Sequence, residues 1–333
     1  MFVANDITLY ISEFLLNMDT LNFLSTSKSK YGLKNKIIFN GRIDILKIIH
    51  SKYFDKFTHI ITNDICTFPL KIKLIDFGID FNRVIPIGLI PNSVTHISFG
   101  YSFNQVLEKG SIPTSVTHIS FGFSFNQKLS PGTIPNSVTH LTFGHNFNQS
   151  IVNVIPNSVS DLILGESFYR INEEAKITIP KSVTHLTIKY WSYQSHTIPI
   201  YPLIIPDSVT HLTFGRYFDH TKTILLIPNS VKYLVLGEFF NQGLMPQLIP
   251  NCITHLTFGD KFNQPITKKE SIPNSAIHLS FSINYNKSII IKLIPNSVKY
   301  ISFGNTFDKE ILVNSDSIID VSLGSYFRIK RND

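Results

Sequence analysis

Apolar residues recur along this chain in a fixed rhythm, three, six and eight positions after a proline. Val94, Ile97 and Phe99 follow Pro91, and Val138, Leu141 and Phe143 follow Pro135. The prolines that mark the rhythm are Pro91, Pro113, Pro135, Pro156, Pro180, Pro206, Pro228, Pro250, Pro273 and Pro295, spaced 21 to 26 residues apart and mostly 22. A weaker unit begins at Pro69 and a proline-less one at Ser315, making twelve. So regular a period identifies a solenoid, in which each unit is one coil stacked on the next.

Within a unit, counted from its proline, positions +5 to +8 alternate between a polar and an apolar face. That is the signature of a short strand with one face buried. Successive strands then lie side by side in a parallel sheet, with the +6, +8 and +12 side chains in columns inside. Those columns account for the 27 phenylalanines. A glycine at +9 (Gly100, Gly122, Gly144) ends the strand where φ is positive or where neighbouring backbones approach closely. Position +12 is aromatic (Phe103, Phe125, Phe147), and the Asn after it (Asn104, Asn126, Asn148) suits a turn tied from coil to coil. Ile-Pro-Asn-Ser suits a bend outside the sheet. About 22 residues leave little room for a full helix on the far side, so turns, extended pieces or short 3₁₀ segments are expected there.

These units resemble the FNIP repeat, a short relative of the leucine-rich repeat named for its Phe-Asn and Ile-Pro pairs. Phe103-Asn104, Phe125-Asn126, Phe147-Asn148 and Phe262-Asn263 carry the first pair, and the Ile-Pro dipeptides opening the units carry the second. Val-x-x-Leu-x-Phe also parallels the leucine-rich Leu-x-x-Leu-x-Leu. The resemblance covers about residues 69–327. It implies a mainly β, leucine-rich-repeat-like solenoid of about twelve coils, serving as a non-enzymatic protein-interaction scaffold. Such proteins are typical of social amoebae and of giant viruses that infect amoebae.

Residues 1–40 follow a different rhythm. Ile7, Tyr10, Ile11, Phe14 and Leu15 fall at helical spacing, and Leu21, Phe23 and Leu24 begin a second stripe, predicting two or three short helices. One reading is a cap over the first coil, which solenoids need. The other is that the segment resembles an F-box, the helical module that docks onto the Skp adaptor of cullin–RING ubiquitin ligases. On that resemblance Ile11, Phe14, Leu15 and Leu21 belong to the docking surface, and the solenoid captures an unidentified target protein, a host protein in a viral setting. Residues 41–68 pass from helical to extended, and Phe57-Thr58-His59-Ile60 echoes the repeat core as a degenerate first coil. Residues 328–333 form a basic tail.

Two features stand out against the repeat. The units at Pro156 and Pro180 are irregular, and the second holds the lone tryptophan, Trp191, beside Tyr190, Tyr193, His196 and Tyr201. These aromatics either form a partner-binding hot spot or fill the space of the missing +12 aromatic. Position +5 is a histidine column of His96, His118, His140, His185, His211, His255 and His278, with Tyr233, Tyr300, Asp161 and Asp320 in other units. It lies opposite the core beside the Ser and Thr of +7. A ladder of this kind stacks, or offers a partner surface, or binds metal. Protonation below about pH 6 would crowd like charges along it and loosen the sheet.

Composition narrows the rest. The net charge of +7 raises the question of nucleic acid, but the basic residues are dispersed and none recurs at a fixed repeat position. No phosphate-cradling glycine motif, metalloprotease His-Glu-x-x-His or nucleophile elbow occurs, and no carboxylate pair repeats. Neither an enzyme nor a cofactor is therefore expected. No apolar run is long enough for a membrane helix. The two cysteines, Cys66 and Cys252, lie far apart without metal spacing, and read as reduced thiols of a cytoplasmic protein, in the host cytoplasm if viral.

Overall fold

A four-residue turn opens each coil. In the computed structural model the proline carbonyl accepts the N–H of the +3 residue, as from Val94 to Pro91, Val116 to Pro113 and Val231 to Pro228, each at 3.1 Å. The structure describes residues 38–51, 54–168, 179–189, 204–216, 227–246 and 248–305, with 307, 309, 312–313, 320–322 and 330–331. The turn buries the +3 side chain completely and aims the chain into a strand of three or four residues. Among the described residues helical structure is limited to 3₁₀ turns, such as Ile291–Leu293.

The chain divides into two units, Met1–Gly144 and His145–Asp333. The first carries β1 (Ile43–Asp44), β2 (His59–Thr62), β3 (Leu74–Phe77), β4 (His96–Ser98), β5 (His118–Ser120) and β6 (His140–Thr142), all parallel and neighbours in chain order. The second carries β7 (Asp161–Leu164), β8 (His185–Ile188), β9 (His211–Phe214), β10 (Tyr233–Val235), β11 (His255–Thr257), β12 (His278–Ser280) and β13 (Tyr300–Ser302). It ends in β14 (Leu312–Val313), β15 (Asp320–Ser322) and β16 (Lys330–Arg331). There β7 to β13 and then β15 run in order, while β14 and β16 pair separately. Register follows the repeat position for position: His96 faces His118, Ile97 faces Ile119 and Ser98 faces Ser120. This is the parallel leucine-rich-repeat-like β-solenoid that the spacing predicts. Each of the twelve expected units contributes one strand, β3 to β13 and β15, and β1 and β2 come before them.

Two interlocked columns of rings fill the core. In the first unit Phe77, Phe99, Phe121 and Phe143 stack at +8 with centroids 5.2–5.6 Å apart. Phe81, Phe103 and Phe125 stack at +12, 5.8–5.9 Å apart. Each +8 ring also meets the +12 ring of its own coil, Phe99 with Phe103 at 4.3 Å and Phe121 with Phe125 at 4.1 Å. No coil could bury these rings alone, so the core exists only as a stack.

The strand-ending glycines answer to crowding. A Cβ on Gly122 would lie 1.8 Å from the Gly100 carbonyl oxygen, and one on Gly100 equally close to that of Gly78. Positive φ belongs instead to Gly88, Gly110 and Gly132, in the return loops. Where Asn follows the aromatic, as at Asn82, Asn104, Asn241 and Asn263, its side chain links coils. Asn82 Oδ1 accepts the Asn104 N–H at 2.9 Å and the Gln105 amide at 3.0 Å, and Asn104 Oδ1 serves Asn126 and Gln127 in the same way.

Among its described residues, the stretch expected to be helical after residue 40 contains the short strand β1 and 3₁₀ turns at Ile45–Lys47 and Phe54–Lys56. Its apolar residues serve the sheet: Ile43 and Ile45 are buried, and Phe39 stacks on Phe57 at 4.8 Å. The echo at Phe57 to Ile60 leads into β2, which pairs with β3 in repeat register. Of the 1–40 segment expected to form helices only residues 38–40 are described, and Ile11, Phe14, Leu15 and Leu21 lie outside the described residues.

Candidate interaction face

Alternation places +6 and +8 in the core, leaving +5 and +7 on the opposite face of each sheet. In the first unit His96, His118 and His140 stack there with centroids 4.0 and 4.1 Å apart and planes within 15°. In the second, His185, His211, Tyr233, His255, His278 and Tyr300 form one run of six rings, 4.1–4.4 Å apart. Ser98, Ser120, Thr213, Thr257 and Ser280 line the neighbouring column. Parallel rings at this spacing cannot turn their nitrogens onto a common ion. Among the described residues no group of three His, Cys, Asp or Glu converges on one point.

Threonine at +4 orients six of the seven column imidazoles, Ile277 taking its place before His278, a role the sequence pattern did not announce. Thr95 and Thr117 hold Nδ1 of His96 and His118 at 2.8 Å, and Thr139, Thr184, Thr210 and Thr254 do so for the next histidine at 2.9 Å. The same hydroxyls sit 3.2–3.4 Å from the +4 carbonyl of the preceding coil, as Thr254 does from Lys232 and Thr184 from Ser160. Serine at +2 donates to the +3 carbonyl one coil back, Ser115 to Val94 at 2.7 Å and Ser208 to Val183 at 2.8 Å. Burial pushes the pKa of His96, His211 and His255 down, and like-charge repulsion from neighbouring imidazoles adds to it. For His211 the nearby Asp161 carboxylate opposes that shift.

Charge on the strand faces is sparse. Asp76 on β3 is held by Arg42 at 2.8 Å and His59 at 2.9 Å, and Asp161 on β7 lies 3.8 Å from Nδ1 of His185. Past the glycine, position +10 forms its own column. It is apolar in the first unit, with Tyr101 stacked on Phe123 at 4.6 Å. In the second unit it is mixed: Arg216 pairs with Glu238 at 2.9 Å, His145 Nδ1 meets Glu166 at 2.8 Å, and Ile283 is exposed. Its partners lie a coil apart and vary in type, so no single-position repeat betrays them. Tyr190, Trp191, Tyr193, His196 and Tyr201 lie outside the described residues. Cys66 is half-buried, which pushes its thiol pKa up, and Cys252 takes the place of the +2 serine, its thiol 3.8 Å from the Pro228 carbonyl.

A family model described as FNIP Repeat matches residues 57–102, 81–124, 125–167, 147–190, 198–239, 240–283 and 285–327. Among solved structures the chain is similar to CroV588, described as a novel circular leucine-rich-repeat protein, at 32% identity and a TM-score of 0.58. That match covers 88% of this chain and 46% of CroV588, so the chain spans about half the length of that relative. YopM from Yersinia enterocolitica is similar at 12% identity, covering 84% of this chain and 64% of its own, with a TM-score of 0.35. No curated protein matches.

Proposed function

Because the chain belongs to the FNIP repeat family, we propose that it is a non-enzymatic scaffold that captures a protein target through its strand face, acting in the cytoplasm as substrate receptor of a cullin–RING ubiquitin ligase. The observation that carries the scaffold reading is the unbroken face of half-exposed imidazole, phenol and hydroxyl groups at fixed spacing. Long uniform arrays of this kind present area and shape to a partner, the usual employment of solenoid faces. The ligase link rests on the F-box-like order of Ile11, Phe14, Leu15 and Leu21 ahead of the repeats. Departures from uniformity mark where specificity lies, and they cluster around Tyr190, Trp191, Tyr193, His196 and Tyr201.

The test is affinity capture from amoebal lysate with the full chain and with a full-length variant carrying Phe14→Asp and Leu15→Asp. Skp and cullin recovered by the native chain and lost by the variant would support the receptor role. Capture of other proteins without Skp by either form would leave a scaffold or decoy with no ligase link.

A further inference from the structure

The hydroxyl of each +4 threonine has one proton and two candidate acceptors. The preceding coil's carbonyl is already occupied: Ser160 C=O takes the N–H groups of Thr184 and His185, at 2.9 and 3.0 Å. Thr184 C=O takes those of Thr210 and His211 at 2.9 and 3.1 Å, and Lys232 C=O takes those of Thr254 and His255, both at 2.9 Å. A carbonyl has two lone pairs, so the closer imidazole Nδ1 is a better acceptor for the hydroxyl proton than this third, longer contact of 3.2–3.4 Å. The neutral ring then carries its proton on Nε2, the nitrogen away from the threonine. A second proton would enter at Nδ1, so Nε2 donates in both charge states.

The second unit therefore turns a row of N–H donors toward solvent from His185, His211 and His255, continued by the rings of Tyr233, His278 and Tyr300. Hydroxyls of Thr187, Thr213, Thr257, Ser280 and Ser302 run beside it. Lys232 and Lys299 stand where the threonine is replaced, directly before the two tyrosines. Lys189 follows β8. Aspartates stand at the two ends of this +5 column, Asp161 on β7 beside His185 and Asp320 on β15 in register with Tyr300.

We propose that this face binds an extended acidic segment of a protein partner, whose carboxylates accept from the Nε2–H row and are held more tightly as the imidazoles protonate. The inference rests on the scaffold reading and names the chemistry of its target. Carboxylates laid along the column relieve the repulsion between stacked imidazolium rings, so binding takes up protons. Tyrosine already occupies this column at 4.1 Å from His211 and 4.4 Å from His278, so His→Tyr keeps the stack while removing the charge.

The experiment is fluorescence anisotropy of labelled hexaglutamate with the full chain, at about pH 6 and about pH 7.5. The native chain should bind about tenfold more tightly at the lower pH, and H185Y/H211Y/H255Y should lose that difference while keeping its thermal midpoint at neutral pH. Nitrogen-15 NMR of the histidines at neutral pH should show the Nε2–H tautomer. No hexaglutamate binding at either pH would overturn the proposal, as would the Nδ1–H tautomer. So would an undiminished pH response in the triple variant, which would point to dispersed charge, or preferential binding of a thymidine hexanucleotide. If the variant misfolds, the native chain's pH response and tautomer still decide. Protein capture that persists while hexaglutamate fails would sink this inference alone, leaving the scaffold reading in place.

Discussion

Single residues in this molecule are judged by the coil next door. Gly122→Ala forces a Cβ against the Gly100 carbonyl, 1.8 Å away, so backbone must move. A loss of about 2–4 kcal/mol in urea unfolding is expected. Gly243→Ala, with nothing within 4 Å of the new carbon, should change stability by less than about 1 kcal/mol. Tyr285 makes the opposite case. It replaces phenylalanine in the +12 column and stacks on Phe262 at 5.8 Å, but its buried hydroxyl has no hydrogen-bond partner. Burial pushes its pKa up to about 12. Tyr285→Phe should leave stability unchanged or raise it by about 1 kcal/mol, and a clear loss on unfolding would show that the hydroxyl is satisfied.

At the scale of the coil, hydrogen bonds cross seams in a fixed direction, and damage should appear one unit downstream. Asn104→Ala removes the acceptor for the Asn126 N–H and the Gln127 amide, so amide exchange at Asn126 should accelerate more than at Asn104 itself. The histidine columns set the pH response. For His96, His211 and His255 the folded pKa lies below the ordinary 6.5. Between those two values the unfolded chain holds more protons, so stability increases with pH there. The thermal midpoint should stay level above about pH 6.5 and fall as the pH drops toward 5, with H96Y/H211Y/H255Y flattening the decline. Much of this scale was legible in the sequence, because a strict period of about 22 converts one unit's pattern into columns. The +6, +8 and +12 core and the histidine face follow from alternation alone. The threonine's grip on Nδ1 did not, nor did the choice between positive φ and close approach for the +9 glycine, since both depend on how closely two backbones approach. The expected helix after residue 40 failed for a related reason: Ile43 and Ile45 match a helical stripe, yet an adjacent sheet edge offers them more burial than a lone helix could.

For the whole molecule, stability is a sum over seams, and the core has no centre to lose. Phe103→Ala empties a site walled by Phe81, Phe99 and Phe125, and should cost about 3–5 kcal/mol. In a nearest-neighbour stack that loss should broaden the melting transition as well as shift it, which calorimetry can resolve.

The equivalence of the seams has a genetic side. Excising residues 113–134 would join Ile112 to Pro135 and bring His140 against His96, Phe143 against Phe99 and Gly144 against Gly100, pairings of the same kind as those removed. A slipped replication fork or an unequal crossover between two copies of the unit would thus yield a chain that is shorter or longer by one coil and still foldable. In such a gene, reach along a partner can change by whole steps without passing through a broken intermediate.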